Sequence, residues 1–306
     1  MIPLSIPNIY GNEWKYVKNC LDTGWISSAG QYVSKFEESI KNYTGSKYAI
    51  ACMNGTSGLQ VSLNLVGVHK NDIVIAPNLT FVATLNSISY IGATIYLIDV
   101  CEKSWQIDTD ILSSWLKNNT RTEIVNDKIV TKEKKSGKKI SAILPVYVLG
   151  AFVDIDKLME LSKKYGIPIV EDSTEALGSF KNGKHAGTFG ELGVLSFNGN
   201  KIISTGGGGM ILTDNKKIAK RAKHITTTAK TDPLDYYHDE VGYNYRLVNV
   251  LAAIGLGQME NFDAILNRKK EIDFQYRKEL NGTGDIKFQI NHSETNPNCW
   301  LFTFRT

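Results

Sequence analysis

The segment DIDKLMELSKKYGIPIVEDS, Asp154 to Ser173, contains a helix, its stop and a buried strand in one short run. A helix is expected from Asp154 to Tyr165, because Gly166 and Pro168 end it. Glycine accepts the left-handed conformation that closes helices, and proline cannot continue one. Ile167 to Glu171 then reads as a strand, with Val170-Glu171-Asp172-Ser173 at the carboxyl end of a strongly apolar stretch. A helix that feeds such a strand belongs to a parallel sheet covered by helices on both faces.

The same alternation extends upstream. Strands are expected at Tyr48–Cys52, Asp72–Ala76, Thr94–Val100 and Ile140–Val148. Between them, helices are expected at about Ser57–Val66, at Phe81–Tyr90, and from Asp108 through Ile111, Leu112, Trp115 and Leu116. The fold class is therefore α/β, a mostly parallel central sheet flanked by helices. Lys132, Lys134, Lys135, Lys138 and Lys139 around Ser136-Gly137 read as a solvated hairpin or loop.

Beyond Val248 the pattern turns helical as far as Tyr276 and stops at Gly282; Ile286–Ile290 then looks like a strand. Trp300 to Thr306 alternates like a strand interior, so a smaller domain is expected to be incomplete. The expected division is a large domain over residues 1–247. Residues 248–306 would form a linking helix and the start of a truncated α+β domain.

At about 150 residues per domain, 306 residues make one large domain or two smaller ones. A formal charge of +4, a hydrophobic share of 42% and a charged share of 22% describe an ordinary globular chain. That charge is too mild for a nucleic-acid partner. The most apolar run, Ile140–Phe152, is too short to span a bilayer and contains Pro145. No signal peptide is visible, so a cytoplasmic protein is expected. Cys20, Cys52, Cys101 and Cys299 are as scattered as the five histidines, and suggest neither a disulfide framework nor a metal site.

Three clusters can carry chemistry. Asn54-Gly55-Thr56-Ser57-Gly58 lies between a strand and a helix, where backbone N–H groups and hydroxyls suit a phosphate. An ordinary turn with Ser or Thr as N-cap accounts for the same residues. Asp172 stands at a strand end, where open α/β sheets collect ligands; a helix-capping aspartate is the other reading. Lys201 follows Ser196-Phe197-Asn198-Gly199-Asn200 and precedes Gly206 to Gly209. A lysine there can act as a Schiff-base nucleophile beside a flat ligand, or remain a surface lysine before a flexible turn. Gly178 to Lys184 matches the G-x-x-x-x-G-K of a P-loop, but His185 replaces the Ser/Thr that would hold magnesium, and Asn182-Gly183 is a hairpin turn.

In order and spacing these clusters resemble the DegT/DnrJ/EryC1/StrS sugar aminotransferases. The likeness runs from Gly24-Trp25-Ile26-Ser27-Ser28 through Phe36-Glu37-Glu38 and Thr80-Phe81-Val82-Ala83-Thr84 to Gly242-Tyr243-Asn244-Tyr245-Arg246. Asn198–Ile203 and Lys223–Lys230 are most similar to aminotransferases of the legionaminic-acid and bacillosamine pathways; the N-terminus is similar to perosamine synthases. The resemblance implies the PLP-dependent transferase fold of the aspartate aminotransferase type, with pyridoxal 5′-phosphate as cofactor. Lys201 would hold the cofactor covalently and shuttle the proton, and Asp172 would pair with its ring nitrogen. Thr56, Ser57 and Ser196 would bind its phosphate, Phe81 would stack on the ring, and Glu175 would lie on its hydroxyl side. Asn244 would reach the neighbouring subunit's cofactor, which implies a homodimer with shared sites.

The implied activity moves an amino group from glutamate to C4 of a nucleotide-linked 4-keto-6-deoxyhexose. A UDP-2-acetamido sugar is the first expectation and a GDP-perosamine synthase-type reaction the alternative. Tyr147 stands where relatives usually carry His, and Leu149-Gly150-Ala151-Phe152 is an unusual neighbouring loop. Deoxygenating relatives replace the lysine, which is present here. A nucleotide-binding P-loop protein and a non-catalytic fragment are the rival readings.

Overall fold

Asp154 caps the helix Ile155–Tyr165 by accepting the Lys157 N–H at 3.3 Å, and Gly166 closes it in the left-handed conformation at φ 62°. A Cβ on Gly166 would stand 2.5 Å from the Ile129 carbonyl oxygen, so glycine is required by conformation and by space. Ile155, Leu158, Leu161 and Tyr165 form one buried stripe at helical spacing. The computed structural model describes residues 4–232 and 234–306.

Across the sheet the strands follow the order Tyr48–Cys52, Gly209–Thr213, Leu192–Ser196, Val170–Asp172, Ile140–Ile143, Ile73–Pro77 and Thr94–Ile98. Ladders join the first four and the last three. Parallel bridges at Ile143–Ile169 and Val146–Asp172 connect the two groups. Gly209–Thr213 runs antiparallel to both its neighbours, and the other pairings are parallel. The core beneath one face includes Ile73, Ile75, Ile143, Leu158 and Leu161. Each such buried side chain contributes about 1.5–3 kcal/mol of transfer free energy.

The helices Glu13–Thr23 and Gln31–Thr44 pack against Asn249–Glu260. Phe36 from this layer meets Phe197 edge-on, with ring centroids 4.9 Å apart. A Cβ on Gly255 would lie 2.7 Å from the Phe36 ring, so the helices close tightly behind Ser196-Phe197.

Several boundaries differ from expectation. The strand expected over Ile140–Val148 stops at Ile143. Beyond Pro145, residues Val148–Gly150 form a 3-10 turn with Leu149 at φ 59°. The strand expected at Ile167–Glu171 runs over Val170–Asp172, preceded by a single bridge from Ile169 to Ile143. The helical run after Val248 breaks at Asn261 into Asn249–Glu260 and Phe262–Leu280. The basic segment is the outgoing side of a hairpin, Thr120–Val125 with Lys128–Glu133, followed by a turn at Gly137. Of the alternating C-terminal run only Phe304–Arg305 is a strand, paired with Lys287–Phe288.

The P-loop reading fails on structure. Phe180–Lys181 and Lys184–His185 form a two-strand hairpin about Asn182 and Gly183, both with positive φ. No helix N-terminus follows, and His185 is fully buried, its Nε2 accepting the Gly178 N–H at 2.9 Å. Among the described residues no helix is long and apolar enough to cross a membrane.

Candidate active site

Parallel strands deliver their carboxyl ends to one edge of the sheet, and the site lies there. Cys52, Asp172 and Ser196 each end a strand, and Gly209 opens the antiparallel one beside Cys52 and Ser196. Asn54, Gly55, Thr56, Phe81, Thr84, Asp172, Glu175, Ser196, Lys201, Gly207 and Trp300 are among the residues that line a cavity of about 360 Å³.

One wall is the N-terminus of the helix Gly55–Leu65. Its cap is Asn54, whose Oδ1 accepts the Ser57 N–H at 2.8 Å, not the Ser or Thr expected as N-cap. Gly55 and Thr56, the first helical residues, have N–H groups without intrahelical acceptors, and both face this cavity. A Cβ on Gly55 would press on Thr174 and Ser196 at 3.0 and 3.1 Å. A Cβ on Gly207 would meet no atom within 4 Å. The glycine run thus serves close packing behind the helix N-terminus and open room above it. A helix N-terminus flanked by the Thr56 and Ser196 hydroxyls fits an anionic phosphate.

Asp172 is only 2% exposed. Its Oδ2 accepts the Thr84 hydroxyl at 2.6 Å and its Oδ1 the Thr174 N–H at 3.2 Å. No helix follows for it to cap, so the helix-capping alternative falls. A buried carboxylate with neutral partners on this cavity favours a cationic ligand atom, as a protonated pyridine nitrogen would be.

Glu171 points to the opposite face, as strand alternation dictates. Fully buried, it accepts the Tyr147 hydroxyl and the N–H groups of Gly187, Phe189 and Gly190. Burial pushes its carboxyl up from the ordinary value, against the pull of those donors. The Tyr147 N–H donates to the Asp172 carbonyl at 3.0 Å and the Asp172 N–H to that of Pro145 at 2.9 Å. Glu171 and Tyr147 therefore brace the strand end that presents Asp172.

Lys201 Nζ lies 3.4 Å from Glu175 Oε1 and 4.3 Å from the Trp300 ring centroid. Glu175 Oε2 accepts the Leu149 N–H at 2.8 Å, which draws that residue into its left-handed turn. Burial raises the Glu175 carboxyl, opposed chiefly by the Lys201 charge. The surface-lysine alternative fails, since the Lys201 side chain is 11% exposed. Phe81 is 71% exposed and forms the open side of the cavity.

Six of the expected residues, Thr56, Phe81, Asp172, Glu175, Ser196 and Lys201, meet in this cavity. Ser57 is buried one position further along the helix and does not line it; Asn244 is exposed and bridged to Thr227. Sequence reasoning missed Thr174 and Trp300 and cited Thr84 without a role. Thr174 and Trp300 carry no local motif, and Trp300 is 100 residues from its partner Asn200. It also left unseen the group His224, Asp239 and Glu240. There Arg221 pairs with Glu240, so a guanidinium supplies the positive charge.

A family model described as the DegT/DnrJ/EryC1/StrS aminotransferase family matches residues 7–306. The GDP-perosamine synthase of Escherichia coli O157:H7 is 37% identical over 280 residues, 92% of this chain and 71% of that relative. EpsN of Bacillus subtilis strain 168, provisionally named a pyridoxal phosphate-dependent aminotransferase, is 32% identical and covers 99% of this chain and 74% of its own length. The solved structure of S. venezuelae DesV with a ketimine intermediate superposes with a TM-score of 0.84 at 26% identity. It covers 96% of this chain and 74% of that one. With its fold and nearly its whole length matched, the chain belongs to the DegT/DnrJ/EryC1/StrS aminotransferase family.

Proposed function

We propose that the protein is a pyridoxal phosphate-dependent sugar aminotransferase that carries the amino group of glutamate to C4 of a nucleotide-linked 4-keto-6-deoxyhexose. The observation that carries this reading is the meeting of Lys201, Asp172 and a helix N-terminus in one cavity. These are a nucleophile, a partner for a ring cation and an anion seat. Pyridoxal phosphate, when bound, supplies a carbonyl for the amine and a protonated ring that withdraws electrons.

The chain's residues divide the remaining work. Lys201 Nζ would hold the cofactor, and its amine, when free, would take the proton from the donor's α-carbon and deliver one to C4 of the sugar. Asp172 keeps the ring nitrogen protonated, and Thr84 and Thr174 orient its carboxylate. Thr56 and Ser196, with the N–H groups at the start of the Gly55 helix, hold the phosphate; Ser57, buried outside the cavity with its N–H given to Asn54, stays out of this set. Phe81 covers the ring from the open side, and Glu175 stands on its hydroxyl side. Asn244 of the partner subunit completes the phosphate site in a cytoplasmic homodimer. Glutamate plus keto sugar thus gives 2-oxoglutarate plus amino sugar.

The name of the E. coli relative favours GDP-4-keto-6-deoxymannose as acceptor. The stretches Asn198–Ile203 and Lys223–Lys230, similar to legionaminic-acid and bacillosamine pathway enzymes, keep a UDP-linked 2-acetamido-4-keto sugar as the second reading. The test is the visible absorption of the purified chain with pyridoxal phosphate, before and after glutamate, followed by both keto sugars. A lysine-bound band that bleaches with glutamate and returns with one sugar is expected. A folded protein without such a band, or a Lys201→Ala variant that still transaminates, ends this reading.

A further inference from the structure

The segment from Thr295 to Trp300 passes beside Lys201. Thr295–Asn296 pairs with Phe180–Lys181 and brings the chain back to the site. Asn298, fully buried, ties it there. Its backbone N–H donates to Ser179 Oγ at 3.0 Å, and its Nδ2 to the carbonyls of Glu175 at 2.8 Å and Leu177 at 2.9 Å. Its Oδ1 accepts the Trp300 N–H at 3.0 Å. Gly150 has to be glycine for this: at φ 80° its Cβ would fall on Asn298 Oδ1.

Trp300 is 5% exposed, and its indole N–H donates to the Asn200 carbonyl at 2.7 Å. That bond fixes the ring plane, whose face lies 4.3 Å from Lys201 Nζ and borders the cavity. Glu175, whose backbone is held by the same Asn298, offers its carboxylate to Nζ at 3.4 Å. One strap therefore sets both neighbours of the lysine's amine, the anion and the aromatic face.

We propose that Trp300 is a positioning residue for Lys201, keeping its amine over the cofactor seat whenever the lysine is free of the cofactor. The proposal rests on the reading that Lys201 holds pyridoxal phosphate. A lysine released from the cofactor regains a flexible four-carbon stem and has to return to the same atom in every turnover. An ion pair to Glu175 alone would draw Nζ to one side. An aromatic face attracts the ammonium without a fixed hydrogen-bond direction, so Nζ stays close, and the Glu175 carboxylate 3.4 Å away is placed to take its proton as the amine attacks.

The test compares the intact chain with Trp300→Phe, which keeps an aromatic face, and with Trp300→Leu and Trp300→Gln, which do not. Gln retains a donor for the Asn200 carbonyl. Two quantities are read: the rate at which apoprotein captures pyridoxal phosphate at Lys201, and the affinity for pyridoxamine 5′-phosphate, which makes no bond to the lysine. Capture is followed by absorbance and verified by borohydride trapping and peptide mass. Capture is expected to slow roughly tenfold in the Leu and Gln variants and to stay within about threefold in Phe, the scale of a desolvated cation–π contact. Pyridoxamine 5′-phosphate affinity is expected to stay unchanged in all three.

Capture at the unaltered rate in Leu or Gln, or an equal loss in Phe, overturns the proposal. So does a parallel loss of pyridoxamine 5′-phosphate affinity, which marks general damage to the site. An unaltered protein that captures no cofactor at Lys201 instead overturns the cofactor reading beneath it.

Discussion

The Thr84 hydroxyl donates to Asp172 Oδ2 at 2.6 Å, joining the helix Val82–Tyr90 to the strand Val170–Asp172 at the base of the cavity. Both residues are buried, Thr84 at 1% and Asp172 at 2% exposure. A hydrogen bond to a buried carboxylate is worth about 1.5–3 kcal/mol. Thr84→Val keeps the shape and removes the donor. Its kcat is expected to fall by about tenfold or more, the equivalent of 1.4 kcal/mol in the barrier. Steady-state kinetics with glutamate check this, and an unchanged kcat would remove Thr84 from the set that orients Asp172.

The Tyr147–Glu171 pair leads to a prediction with a pH signature. Tyr147→Phe leaves Glu171 three backbone donors and takes away the hydroxyl. The expected destabilisation at neutral pH is about 1–3 kcal/mol. The Glu171 carboxyl already lies above its ordinary value because of burial, and losing a donor that lowers it moves it further up. A carboxyl raised in the folded state binds more protons folded than unfolded, so stability falls as pH rises from the ordinary value through the folded one. The gap in Tm between the two proteins is therefore expected to widen from acidic toward neutral pH. A gap that narrows over that range contradicts the assignment.

His185 gives the opposite slope. Burial brings its pKa down to about 4, from 6.5 in the open chain. The neutral ring is fully used, with Nε2 accepting from Gly178 and Nδ1 donating to the Ala186 carbonyl. Protonation at Nε2 destroys the first bond. A base depressed in the folded state adds stability above its unfolded pKa and loses it as pH falls through the folded one. Relative to a His185→Gln variant, the protein is expected to lose about 3 kcal/mol between pH 6.5 and 4. Denaturant titrations across that window measure it, and parallel curves for the two proteins would falsify the assignment.

Much of this architecture was legible because its signals are local. The stop at Gly166 and Pro168, the strand ending in Asp172, the Asn182-Gly183 hairpin and the strand-to-helix turn at Asn54 each depend on neighbours within a few residues. Boundaries failed where a tertiary partner intervened. Ile140–Val148 is apolar apart from Ser141, yet the strand stops at Ile143; only a bridge from Val146 to Asp172 continues the pairing before Glu175 takes the Leu149 N–H. Trp300 to Thr306 alternates like a strand, but Trp300 is committed to Asn200 and Lys201, which no periodicity announces. The roles of Thr84 and Thr174 depend on the folded position of Asp172, so their identities alone are silent.

Gly207 separates the proposed phosphate seat from the stability of the fold. It borders the cavity, its φ is not among the positive ones, and a Cβ there would meet nothing within 4 Å. A side chain at this position therefore strains neither the backbone nor the packing, and Gly207→Val is expected to change stability by no more than about 0.5 kcal/mol. The two methyl groups of valine would occupy open space bordering the cavity in which the phosphate is proposed to lie. Cofactor affinity is expected to fall by about tenfold or more, since overpacking a filled site costs roughly 1–3 kcal/mol. Equilibrium binding of pyridoxamine 5′-phosphate, beside a denaturant curve of the apoprotein, distinguishes the two effects. Full affinity in the valine variant would move the phosphate away from the glycine run, to a part of the cavity that Gly207 does not border.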